Sequence, residues 1–337
     1  MPPPLRPDDV YAADRPGNLN PAVRGDLSRV YVPNSESNTV DVIDPASFRV
    51  VAHFRVGRLP QHVVPSYDLR TLWVNNDAGN SLTPIDPRTG RPGRPVAVTD
   101  PYNLYFTPDG RSAMVMAEAR RRIDFRDPHT MRLQHSLVVG CSGVNHADFT
   151  ADGRFFLATC EFSGQLLVSD TAGSRVVRRI VLPRGSMPQD VKLTPDGRTF
   201  YVADMMAGGL WRIDAHTFRR TGFLRTGLGA HGLYVSRDSR SLYISNRGEG
   251  SISVLAFATG RVIRTWRIPG GGSPDMGGVS SDGRVLWLSG RYDRVVYAID
   301  VVHWRLLRKI GVGRGPHGLC VFPQPGRYSL GHTGIYR

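Results

Sequence analysis

Seven short apolar segments recur through the chain, and their central residues, Tyr31, Trp73, Met114, Leu157, Tyr201, Tyr243 and Trp287, stand about 41 to 44 positions apart. A period of that length, with four strand-like stretches per unit, is the pattern of a β-propeller blade. Each unit continues through a polar loop into an alternating strand such as Thr39 to Asp44, where Val40 and Val42 fall on one face. An Asp-Pro, Thr or Gly turn follows, as at Asp44-Pro45 and Asp86-Pro87, and then a further strand such as Val50 to Val56. The chain next crosses to the inner strand of the following unit. That strand ends in Thr107-Pro108-Asp109-Gly110, Thr150-Ala151-Asp152-Gly153, Thr194-Pro195-Asp196-Gly197 or Ser280-Ser281-Asp282-Gly283, where Asp-Gly is a strong hairpin-turn signal.

The expected fold is therefore all-β: a seven-bladed β-propeller of four-stranded blades. The inner strand is offset from the other three, so the last one, His317 to Phe322, has no partners of its own and the first blade lacks one. The C-terminal strand joining the first blade closes the ring and removes exposed sheet edges. A segment from Leu19 to Arg24 is the competing candidate for that inner strand. The boundaries read as an N-terminal extension over 1–24, the propeller over 25–326 and a tail over 327–337. Both ends are expected against the outside or one end of the ring.

The 337 residues carry a formal charge of +14, which raises nucleic acid or an anionic surface as a partner. The distribution argues against both. Lys192 and Lys309 are the only lysines, the arginines are scattered, and Arg120-Arg121-Arg122 is the longest basic run. No segment interleaves basic and aromatic residues as a nucleic-acid groove does. No apolar run reaches the roughly 18 residues of a membrane span, and the proline-rich stretch from Met1 to Asp14 has no apolar signal core. A monomer is expected.

Val30-Tyr31-Val32-Pro33-Asn34, Val42-Ile43-Asp44, Thr107-Pro108-Asp109-Gly110 and Gly315-Pro316-His317-Gly318 resemble the YVTN-type repeat of YncE-like propellers. This group is related in fold to the haem d1 propeller of cytochrome cd1 nitrite reductase. The resemblance covers nearly the whole chain after residue 25 and implies the fold more than an activity, because such repeats serve structural, DNA-associated, lyase and cofactor-carrying proteins alike. By location alone, His146 and His231 correspond to the histidines that contact the cofactor in the haem d1 relatives.

Propeller geometry also predicts a site. The links into the inner strands and the loops after the anchor strands open at one end, around the channel mouth. Aligning the links places Gln61, Tyr102, Asn145, Gln189, His231, Asp275 and His317 at one position, and His62, Asn103, His146, Asp190, Gly232, Met276 and Gly318 at the next. The loops at that end add Glu161, Arg247 and Arg291. The candidate ligand-binding set is His62, Tyr102, Asn103, His146, Asp190, His231, Asp275, His317, Glu161, Arg247 and Arg291.

Three uses of this rim remain open. The polar groups can satisfy strand ends and hold channel water. They can grip a small polar molecule or a partner's loop. Alternatively His62, His146, His231 and His317 can hold a transition metal or contact a haem, and Met187, Met205, Met206 and Met276 would favour Cu(I) if they face the same opening. No compact ligand spacing, nucleophile elbow or phosphate loop is present, and the Gly270 to Asp275 link precedes a strand rather than a helix. The leading expectation is a YncE-like binding protein for a small ligand or protein partner, with a metal- or haem-dependent lyase or oxidoreductase as the alternative.

Cys141 precedes the inner strand of the fourth blade and Cys160 ends the strand beside it, within reach of a disulfide. A bond there implies an oxidising, extracytoplasmic compartment; reduced thiols would favour the cytoplasm or a metal role. Cys320 is expected as a buried small hydrophobe.

Overall fold

The alternation read from the sequence becomes seven antiparallel sheets whose apolar faces stack blade against blade. The computed structural model describes residues 2–337. Blade 4 is typical, with Val144–Phe149 innermost, then Phe155–Cys160, Gln165–Asp170 and the outer strand Val176–Val181. The inner two strands are almost wholly buried, whereas outer strands such as Arg49–Arg55 and Arg261–Arg267 face solvent. Between blades the core is continuous. Val30, Val32 and Ile43 of blade 1 pack with Trp287, Val296 and Ala298 of blade 7, and Val64 and Trp73 of blade 2 pack with Leu104, Phe106 and Val115 of blade 3.

The ring closes through the C-terminal strand. Cys320–Phe322 pairs with the start of Arg29–Asn34, with Val30 opposite Val321 and Tyr31 opposite Cys320. Pro21–Val23 instead forms a short 3-10 turn, and Leu19 bridges to Pro325, so the 19–24 segment supplies no inner strand. Blade 2 departs from regularity at its outer edge, where Arg91–Pro92 and Val96–Ala97 make two separate short pairings. Pro92 and Pro95 lack the N–H that an unbroken ladder needs, and an exposed edge tolerates the break.

Both termini pack onto the ring, and the tail does more than lie against it. Val10 N donates to Pro195 O at 2.8 Å and Tyr11 Oη to Leu193 O at 2.9 Å, capping the end opposite the mouth. The tail enters the channel itself. Ser329 N donates to Tyr67 O, Phe106 N to Leu330 O and Leu330 N to Ile335 O, which makes residues 329–336 a hairpin with His332 near its tip. Gly331, at φ +120°, lies against blade 3 so closely that a Cβ there would stand 2.6 Å from Leu104 O.

Candidate functional site

Five inner strands carry the same irregularity near the mouth. The pairing register jumps between Pro60 and Val63, Val144 and Ala147, Pro188 and Val191, Ala230 and Leu233, and Pro274 and Gly277. Each jump sets two residues against one, a bulge that releases side chains from strict alternation and turns them into the channel. The bulged pairs are Gln61-His62, Asn145-His146, Gln189-Asp190, His231-Gly232 and Asp275-Met276, the positions aligned from the repeat.

Asp275 organises one side of the mouth. His317 Nδ1 lies 2.7 Å from its Oδ2, and Arg247 Nη1 donates to its Oδ1 at 3.1 Å. His231 Nδ1 stands 3.2 Å from Oδ1, close enough for electrostatic attraction although not aligned as a hydrogen bond. Burial works to raise the Asp275 carboxyl, but the neighbouring positive charge, permanent in Arg247, and donation from His317 outweigh it and hold the group ionised. Burial also keeps the imidazoles neutral: His231 is pushed down to about 3, and His317 falls well below its ordinary value. The positive charge of Arg291 acts on His62, His231 and His317, and its buried Nη1 has no hydrogen-bond partner among the described residues.

The opposite side is acidic, and burial raises both of its glutamates above the ordinary carboxylate range. Asn145 Nδ2 donates to Glu161 Oε2 at 2.6 Å and to Glu118 Oε1 at 3.3 Å. Burial and then the charge of Glu161 push Glu118 up to about 8, and burial raises Glu161 as well. Tyr102 is half-buried beside His62, with ring centroids 5.3 Å apart, and burial drives its phenol well above the ordinary range.

Two predicted site residues are engaged with backbone. Asp190 accepts from Val191 N and from Leu233 N of the next blade, both at 2.9 Å. Asn103 accepts from Leu104 N and donates to Asn145 O. Both fasten neighbouring inner strands. Asp190 is raised to about 6 by burial, with Lys192 acting in the other direction.

Deeper in the channel, His62 and His146 meet His332, which the repeat alignment could not supply because it lies in the tail. Ring centroids are 4.2 Å apart for His62 and His332, 5.0 Å for His146 and His332, and 5.9 Å for His62 and His146. One potential ligand atom from each of the three lies within 4.8 Å of the others, and all three residues are buried. His62 needs the glycine at position 318, because a Cβ there would come within 2.0 Å of its Cδ2. His317 also packs against His62, with ring centroids 4.9 Å apart, while His317 and His231 turn their Nδ1 atoms to Asp275. The sequence signal for His332 was local: an imidazole between Gly331 and Gly334, in a segment able to turn sharply.

The expected Cys141–Cys160 disulfide is formed, with Cα atoms 5.9 Å apart, and Cys320 is buried as a free thiol. No helix among the described residues is long and apolar enough to cross a membrane.

A family model described as YNCE-like beta-propeller matches residues 20–327. Among curated proteins, a 6-phosphogluconolactonase of Erwinia tasmaniensis is 24% identical over 279 residues, covering 75% of this chain and 84% of that protein. Among solved structures, the periplasmic gluconolactonase PpgL of Pseudomonas aeruginosa superimposes with a TM-score of 0.70 at 20% identity, covering 88% of this chain and 99% of that one. The dihydro-heme d1 dehydrogenase NirN gives a TM-score of 0.67 at 17% identity, covering 95% of this chain and 79% of that one. At these identities the structural likeness carries the fold alone.

Proposed function

Because the chain belongs to the YncE-like β-propeller family, we propose that it binds a small anionic, hydroxyl-rich molecule of the sugar-acid class at the channel mouth, in an extracytoplasmic compartment. Arg291 carries this reading: a guanidinium nitrogen is buried without a partner beside neutral histidines. A ligand carboxylate or phosphate would supply the missing acceptor. Protonated Glu118 and Tyr102 offer hydrogen bonds for hydroxyl groups, and the ionised Asp275 is already neutralised by Arg247. The disulfide and the likeness to a periplasmic protein support the location. Two of the similar proteins are named for sugar-lactone hydrolysis, which supports this ligand class.

A second reading, lactone hydrolysis at the same mouth, is favoured by the His317–Asp275 pair. A carboxylate on Nδ1 orients an imidazole so that its Nε2 can take a proton from water. Calorimetric titration with gluconate and 6-phosphogluconate, together with a pH-stat assay on glucono-δ-lactone, separates the readings. Binding without turnover supports the first and turnover abolished in His317→Ala supports the second. Neither binding nor turnover removes both.

A further inference from the structure

Three buried imidazole nitrogens in the channel have no hydrogen-bond partner among the described residues: Nε2 of His62, of His146 and of His332. One such nitrogen beside a small void is ordinary. Three within a cluster whose potential ligand atoms lie within 4.8 Å of one another are a standing desolvation cost that the fold does not relieve internally.

The protons on the other side of the rings explain why those nitrogens are bare. His62 Nδ1 lies 2.9 Å from the carbonyl oxygen of Tyr102, which can only accept, so Nδ1 carries the hydrogen and Nε2 presents a lone pair. His146 is set by a longer chain. Asn145 Nδ2 donates to Glu161, so Asn145 Oδ1 is the acceptor that faces His146 Nδ1 at 3.0 Å, and Thr159 Oγ1 donates to the same oxygen at 2.8 Å. His146 Nδ1 is therefore also a donor and its Nε2 also a bare lone pair. Imidazoles anchored through Nδ1–H to a carbonyl or amide oxygen, with Nε2 left unpartnered, have the outer-shell arrangement of metal-ligating histidines.

We propose that His62, His146 and His332 form a three-histidine centre for a divalent transition metal of the zinc class, leaving the fourth coordination position to water or an exogenous ligand. Neutral nitrogen donors suit Zn(II), with bonds of about 2.0 to 2.1 Å, and the three rings would draw together from the present spacing to make them. The third ligand gives the tail hairpin a role: residues 329–336 enter the channel from the end opposite the mouth and carry His332 to the two bulge histidines. None of its three ligands is a side chain assigned above to the sugar-acid ligand, and the metal titration tests it separately from that reading.

The full-length protein, stripped with chelator and dialysed, is titrated with ZnCl2 by calorimetry and with CoCl2 by visible absorption at pH 7.5. One Zn(II) per chain at submicromolar Kd is expected, with Co(II) d–d bands of a four-coordinate nitrogen site. His332→Ala should weaken Zn(II) at least 100-fold, and His129→Ala, which removes an exposed histidine outside the channel, should leave it within about threefold of wild type. His332→Gln serves in its place if circular dichroism shows that the alanine variant does not fold. Absence of stoichiometric Zn(II) and Co(II) binding in wild type, or unchanged affinity in a folded His332 variant, overturns the proposal.

Discussion

Arg337 Nη2 donates to Asp148 Oδ1 at 3.0 Å, joining the last residue of the chain to the inner strand of blade 4 across 189 positions. The same carboxylate accepts from Leu193 N and Phe149 N at 2.7 Å each, and the Arg337 guanidinium lies 4.6 Å from the Tyr11 ring centroid. Both ends of the polypeptide thus converge on one buried acid.

Removing Arg337 leaves that acid without its side-chain counter-ion. Breaking a buried pair from one side costs about 3 to 5 kcal/mol, at the lower end here because two backbone N–H groups still hold Asp148. Urea unfolding of Arg337→Ala should show a loss of that order; a change below about 0.5 kcal/mol, within the usual range for a surface substitution, would mean the tail is not anchored as described.

Arg291 should matter for binding and little for folding. Its partnerless nitrogen gives the folded protein no internal hydrogen bond to lose, so Arg291→Ala should retain the wild-type melting temperature within about 2 °C while weakening gluconate at least tenfold, the equivalent of about 1.4 kcal/mol. Equal affinity in the two proteins would remove Arg291 from the site.

Glu118 imposes a pH dependence. Its folded value of about 8 lies above that of an unfolded glutamate, so the folded state keeps a proton that the unfolded state releases. That contribution lowers stability as pH rises from about 4.5 to 8. Glu118→Gln should lose this slope and melt a few degrees above wild type at pH 8 while matching it near pH 5, read by scanning calorimetry. Parallel profiles for the two proteins would contradict the assignment.

The disulfide predicts a thiol count. Protein denatured without reductant should titrate with one thiol, Cys320, and three after reduction. A link across 19 positions restricts the unfolded chain by about 3 kcal/mol in the loop-closure model. Cys141→Ser/Cys160→Ser should therefore unfold at lower urea by a corresponding amount.

Much of this was legible in the primary structure because it repeats. Tyr31, Trp73 and their equivalents mark the blades; the offset of His317 to Phe322 predicts how the ring closes; and aligned links bring His62, His146, His231, Asp275 and His317 to one end. Strand alternation and turn chemistry are local, so a period of about 42 residues carries them through the whole chain. Equivalence by alignment says which residues share an end of the ring, but not how deep each sits or what it bonds. Asp190 and Asn103 look like the histidines in that alignment, yet their oxygens accept backbone N–H groups.

What the sequence by itself determined is the ring: seven blades, their order, the closing strand, and the end at which polar residues gather. Only the tertiary structure decided that the bulges set His231 and His317 against Asp275, and that the tail threads the channel to place His332 against His62 and His146. The reason is physical. Periodicity encodes contacts within a blade and between neighbours, whereas the meeting of Arg337 with Asp148, or of His332 with His62, closes hundreds of residues of chain through a cavity whose shape exists only once the ring has formed.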